Sequence, residues 1–331
     1  MASSTSGVRP RPTGERLRSG LLTTLLLLPA GIWYLVLLVA PLVIIVVFSF
    51  GTRARNGGYA PGFVFDNYAR AIQKPEPFIT SLQMATIGTI LCLLVGLPLA
   101  YYLATRAGRY RGILILLLVI PFWTSFLIRT YAWLLILGPD AGLAGFLESV
   151  TGTEQIQILG TPIAVMIGLV YNYLPLMVFP LYVTLERMDR TLVEASKDLG
   201  AGRWGTFRQV TLPIALPGLV TGSILVFIPM MGEYVIPQIL GYGRTYLMGN
   251  ALVTDFLEAR NWPSGSARAV FLIIIMIVTL AGYVWFLNRG RLRKVRTQTL
   301  DFVLGSLFKF IDQFSSRTVP FLDEKGKSQH A

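Results

Sequence analysis

Two ionisable side chains, Glu233 and Arg129, stand inside long apolar runs, where an unpaired charge costs several kcal/mol. A carboxylate at that depth can attract a protonated amine. The rings of Trp123, Tyr131, Tyr171 and Tyr173 lie in neighbouring runs, where they could stack on methylenes and make cation–π contacts. Asn172 and Thr124 are weaker polar candidates for the same pathway. Asp255 and Glu258 follow in a more polar segment, where they could meet a substrate or a docking protein, or form a solvated helix face. Two readings of Glu233 stand side by side: a pathway residue that draws cations, or a partner of Arg129 or cap of a broken helix that meets no substrate. Arg129 would repel a cation and is assigned a structural or gating role. Other chemistries lack their residues. A single cysteine, Cys92, excludes an intrachain disulfide, and the only histidine, His330, is penultimate. Ser-His or Cys-His nucleophiles and His-rich metal sites are therefore not expected, and no metal site is assigned. No G-x-x-x-x-G-K-[ST] string supplies a phosphate-binding loop.

The elements that must carry these residues follow from composition. Of 331 residues, 53% are apolar and only 14% charged, which is the composition of a membrane protein. The net charge of +12 in such a chain suits basic loops facing anionic lipid better than a nucleic-acid surface. Six stretches approach the ~20 apolar residues that a helix needs to cross the bilayer, near 21–50, 78–104, 113–138, 161–185, 215–240 and 269–288. The fold class is an all-α membrane protein with six transmembrane helices. The first stretch follows Arg9, Arg11, Arg16 and Arg18 as a secretory signal would, but its apolar run is about twice a signal's, so it reads as an uncleaved span. An even number of crossings puts both termini on one side. Lys and Arg number 21 on that side against 7 on the other, which makes it cytoplasmic. Counting the helical rise puts Glu233 about 22 Å along span five and Arg129 about 24 Å along span three, both toward the outer half. Prolines at 29, 41, 98, 121, 175, 180, 229 and 237 predict kinks, with freed carbonyls satisfied by neighbours or water.

Between spans four and five, Glu186 to Pro217 is far more polar than its flanks. Thr191 and Glu194 have capping-box spacing, which predicts a helix with Leu192, Ala195 and Leu199 on one face. Gly200 and Gly202 predict a C-cap and a turn. A second short helix from Arg203 to about Thr211 then carries Trp204 and Phe207, and Pro213 ends it. The product is an amphipathic helical elbow outside the bilayer. A DNA-reading helix-turn-helix is disfavoured, because Lys197, Arg203 and Arg208 against Glu194 and Asp198 leave a net charge of only about +1.

This elbow resembles the cytoplasmic signature of the permease subunits of binding-protein-dependent ABC importers: E-A-A, three residues, Gly, nine residues, Ile, one residue, Leu-Pro. Glu194, Ala195, Ser196, Gly200, Val210, Leu212 and Pro213 occupy those positions, with Ser for the second Ala and Val for Ile as departures. The resemblance implies a coupling helix that docks in a groove of an ATP-hydrolysing subunit. That role falls on Glu194, Ala195, Ser196, Leu199, Gly200, Trp204 and Phe207. Further strings resemble the spermidine/putrescine branch: IPFWTSFLIRTYAW at 120–133, GLVYNYLPLMVFPLY at 168–182, MGEYVIPQILG at 231–241 and FLEARNWPSGSA at 256–267.

The resemblance implies one half of a heterodimeric pore in a bacterial cytoplasmic membrane. Its partners would be a second permease subunit, two copies of an ABC ATPase and an extracytoplasmic substrate-binding protein. ATP and Mg would be used by the ATPase, with no cofactor in this chain. Segments 1–20, 21–288 and 289–331 divide into a cytoplasmic start, the six-span permease domain and a basic tail, whose Leu304, Leu307, Phe308, Ile311 and Phe314 would share a helical face. Permeases for ferric iron or thiamine and a potential-driven cation carrier or channel are the alternatives. A membrane-embedded enzyme would need clustered catalytic residues that the sequence does not offer.

Overall fold

The computed structural model describes residues 28–29, 31–138, 145 and 157–289, without the side chains of 286–289. The expected N-terminal segment and basic tail lie outside these residues. The chain divides into two compact units, one from 1–75 and 252–272, the other from 76–251 and 273–331.

The first unit begins with helix α1, Gly31–Ser49, apolar and exposed along most of its length, with Ser49 buried at its end. Five of its residues, Leu35–Val39, widen into a π-helical turn just before Pro41, which lacks an N–H to give the ladder. The chain then turns through a short hairpin, β1 Thr52–Arg53 against β2 Tyr59–Ala60, and enters α2, Asp66–Gln73. Asn67 fixes the end of α1 by donating Nδ2 to the carbonyls of Ser49 and Gly51, both at 2.9 Å. A π-helical turn at Thr254–Glu258 belongs to the same unit. Arg53 donates to the Ala259 carbonyl at 2.6 Å, and the Gly58 N–H to that of Arg260 at 2.6 Å, so the hairpin clasps this turn.

The core of the second unit is the mutual packing of three long helices: α3 Glu76–Thr105, α6 Pro162–Glu186 and α8 Arg203–Met231. Lipid tails are as apolar as leucine, so close approach of small residues has to hold such helices together. On α3, Ala85, Gly88, Cys92, Gly96 and Ala100 form a buried face at three- and four-residue spacing. On α8, a Cβ at Gly218 would lie 2.5 Å from the Pro180 carbonyl, and one at Gly222 would lie 3.1 Å from that of Met177. Backbones of α6 and α8 therefore touch without side chains between them. The same unit holds α4 Arg111–Trp123, α5 Phe126–Ile136, the short polar α7 Arg190–Asp198, the short α9 Val235–Leu240, and most of α10 Met248–Val253. A last long helix, α11 Trp262–Arg289, starts in the first unit and continues in the second.

Two spans differ from their expected form. The span expected over 113–138 is a pair of helices bent by 98° at Thr124 and Ser125, both of which take extended ψ values. A rise count that crosses residue 124 therefore fails, and Arg129 does not lie farther along the axis of α4. The span expected over 215–240 instead runs from Arg203 to Met231 and breaks at Gly232–Tyr234 before α9.

Candidate functional site

The elbow is a helix pair fixed at each turn. Asp189, not Thr191, is the N-cap of α7: its side chain accepts from the Thr191 N–H at 3.0 Å. That bond holds the fully exposed Asp189 carboxyl below the usual carboxylate range. The capping-box reading fails because the helix starts two residues earlier, where Asp189 accepts the free Thr191 N–H. Gly200 ends α7 as expected. It has φ +83°, its N–H donates to the Lys197 carbonyl at 2.8 Å, and the Ala201 N–H donates to that of Ser196 at 3.0 Å. This 6→1 and 5→2 pair is the Schellman arrangement, which needs the left-handed backbone that glycine adopts freely. The Ser196 and Thr206 hydroxyls lie 3.2 Å apart and join α7 to α8, while Trp204 stacks on Phe207 at 5.5 Å.

Pro213 does not end the second helix. Phe207–Thr211 widen into a π-turn in which the Leu212 N–H donates to the Phe207 carbonyl, five residues back. That wider turn admits the proline ring, and the helix runs on to Met231. The second helix of the elbow and span five are thus one element of 29 residues, about 43 Å long at the helical rise. Leu192, Leu199 (89% exposed) and Trp204 (72% exposed) present apolar surface away from the bundle, and Glu194 and Ala195 are exposed beside them.

Contacts that the sequence reading missed tie the base of this elbow to the loop after α3. Arg111 forms an ion pair with Glu186 and lies 5.1 Å over the Tyr182 ring. Arg190 donates to the Thr105 carbonyl at 3.0 Å. Basic residues between apolar runs carry an orientation signal, and only the fold reveals which of them also find acceptors.

The other end of α8 carries Glu233, buried at 7% exposure. Oε1 accepts the N–H groups of Tyr234 at 3.0 Å and Val235 at 2.9 Å, which α9 would otherwise leave without partners. Oε2 accepts from the Tyr173 hydroxyl. Glu233 is thus a cap on a broken helix, and no ion pair joins it to Arg129. Gly249 packs so closely on the Gly232 and Glu233 carbonyls that no side chain fits there. Asn250 accepts from the Leu247 N–H at 3.2 Å and donates to Gln238 at 3.2 Å, and Ser81 accepts from the Met248 N–H at 2.7 Å. The sequence signal for this clasp was the Gly249-Asn250 pair, two polar-backbone residues inside an apolar string.

The remaining pathway candidates are not gathered there. Tyr171 meets Trp133 edge to face at 5.3 Å. Asn172 is buried and donates to the Gly168 carbonyl of its own helix at 2.9 Å. Trp123, Thr124 and Tyr131 lie exposed around the bend between α4 and α5. In the first unit Asp255 is buried rather than on a solvated face, 3.3 Å from Arg268 Nε and 3.3 Å from the Ser264 hydroxyl, whereas Glu258 is exposed. Burial pushes the Asp255 carboxyl above its usual range, against the pull of Arg268. A cavity of about 240 Å³ between α3, α8 and α11 is lined by Thr89, Phe227 and Tyr283 among others, and by none of the predicted pathway residues.

Comparison with known proteins agrees with this architecture. Residues 93–291 match the family model described as binding-protein-dependent transport system inner membrane component. The chain is 39% identical over 266 residues to the spermidine/putrescine transport system permease protein PotB of Salmonella typhimurium (strain LT2), covering 80% of this chain and 92% of that one. It is 38% identical over 269 residues to PotB of Escherichia coli (strain K12), covering 80% and 98%. A crystal structure of a bacterial ABC transporter involved in the import of the acidic polysaccharide alginate superposes with a TM-score of 0.66 at 18% identity, over 84% of this chain and 98% of that one. An exposed helical elbow built on the family's spacing, continuous with a long apolar helix and matched over most of the chain, makes this protein a member of the binding-protein-dependent ABC importer permeases.

Proposed function

We propose that this permease imports polyamines, as one of two permease subunits around a shared pore. Two copies of a separate ATPase subunit, using Mg and ATP, drive it, and an extracytoplasmic binding protein supplies its substrate. The observation that carries the coupling is the continuity of α8. Trp204 at one end offers apolar surface to a partner, and the helix carries its displacement without interruption to the break at Glu233. A rigid helix pair with an exposed apolar knob is the form that passes a partner's closure to the spans. Both termini are cytoplasmic in this reading, which puts the elbow beside the ATPase.

The polyamine assignment is supported by the likeness to PotB and by a buried carboxylate at the outer end of α8. Glu233 uses most of its lone pairs on Tyr234, Val235 and Tyr173, so it acts through its charge and through the break that it holds. The half-exposed Tyr234 beside it offers a ring to a passing cation. The test is copurification with the co-expressed importer components, followed by ATPase assays with binding protein and spermidine, putrescine, ferric iron or thiamine. Stimulation by either polyamine alone supports the reading, and stimulation by iron or thiamine instead refutes the substrate while leaving the coupling intact.

A further inference from the structure

Helix α4 with its preceding turn, Gly108–Trp123, follows the basic Arg106 and is about 24 Å long at the helical rise, most of the ~30 Å hydrocarbon thickness. After the 98° bend, α5 adds almost nothing to that depth. With α4 along the bilayer normal, α5 would lie nearly in the membrane plane, at the level where acyl chains give way to headgroups. Its residues suit that level. Leu127, Ile128 and Leu135 are exposed, and Trp123 (79% exposed) and Tyr131 are the ring types that collect at the interface.

Arg129 sits in the crook of the bend. Its guanidinium carbon lies 5.1 Å from the Phe122 ring centre and 5.9 Å from that of Phe126. Nε is buried without a hydrogen-bond partner, and the guanidinium has no ion pair among the described residues. Two aromatic faces thus desolvate one side of a cation whose Nε–H lacks an acceptor. A guanidinium held this way matches the fork of a phosphodiester better than an ammonium would. We propose that Arg129 and the in-plane helix α5 bind the phosphate of an outer-leaflet anionic phospholipid, which pins the bend at the interface. Trp123 and Tyr131 then belong to the interfacial belt and not to the substrate pathway.

The assembled importer, exchanged into nanodiscs of phosphatidylcholine with and without phosphatidylglycerol, tests this by native mass spectrometry and thermal unfolding. Wild type is expected to retain phosphatidylglycerol through delipidation and to melt higher with it, with inorganic phosphate giving no such shift. Arg129→Gln should weaken retention about ten-fold, and Arg129→Lys should fall between. Equal retention by wild type and Arg129→Gln, or protection by inorganic phosphate alone, overturns the proposal. If the glutamine variant does not assemble, phosphatidylglycerol carrying a photoreactive headgroup is applied to the wild-type complex. Crosslinks within 120–133 support the site, and crosslinks confined to other segments refute it.

Discussion

The Tyr173 hydroxyl donates to Glu233 Oε2 across the break that ends α8, while the other carboxylate oxygen caps α9. One side chain thus closes a helix terminus and joins it to α6. Tyr173→Phe removes the donor and leaves a buried carboxylate oxygen short of a partner, a loss of roughly 1–3 kcal/mol. The purified complex should melt at a lower temperature with its subunit composition unchanged, as thermal unfolding and gel filtration would show.

Glu233→Gln keeps an oxygen to accept from Tyr234 and Val235 but removes the charge. Polyamine uptake should fall about ten-fold, equivalent to ~1.4 kcal/mol, in assembled complex. Radiolabelled spermidine uptake into vesicles measures this, and wild-type kinetics would confine Glu233 to its capping role.

Gly200 at φ +83° leaves room for a side chain but not for its backbone preference. Gly200→Val should strain the elbow by about 1–2 kcal/mol, so that basal ATP hydrolysis persists while substrate stimulation is lost. Trp204→Ala should act at the partner, weakening retention of the ATPase subunit on an affinity column by about 2 kcal/mol or more if the ring is an anchor.

Gly222→Val would drive a side chain into the Met177 backbone, whereas Gly282 has nothing within 4 Å of a Cβ position. The first should abolish accumulation of the complex, and Gly282→Ala should leave it unchanged. Quantitative immunoblotting of membranes separates the two.

Asp255 gives a pH dependence. Its carboxyl titrates above the ordinary value near 3.8, so the folded clasp binds its proton more tightly than the unfolded chain does. Stability of this region therefore declines as pH rises from the ordinary carboxylate value through the raised one, and acidification restores it. Hydrogen exchange across 252–262, corrected for intrinsic rates, should show protection that falls as pH is raised from the ordinary carboxylate value, and Asp255→Asn should abolish the dependence.

The elbow was legible because its signal is local: glycine at a left-handed position, a polar stretch between apolar ones and a fixed spacing to Pro213. The breaks were not. Residues on both sides of Thr124 and of Gly232 are equally apolar, so a hydropathy window passes over a right-angle bend as it does over a straight helix. What ends α8 is a carboxylate that turns back on the next two N–H groups, a choice the sequence leaves open with a salt bridge to Arg129. Pro213 misled in the opposite direction, because a π-turn can admit a proline that an α-turn would reject. The partner of Asp255 was hidden by distance along the chain, since Arg268 falls at the margin of the next apolar run.

Bare backbone contact at Gly218 and Gly222 leaves α6 and α8 without the layer of side chains that lets packed rods slide. In the proposed cycle they would turn together like a shaft and its key, with the staples at Arg111 and Arg190 as a bearing near the elbow. In the proposed coupling, a stroke at the elbow would reach the far side with little lost to slippage.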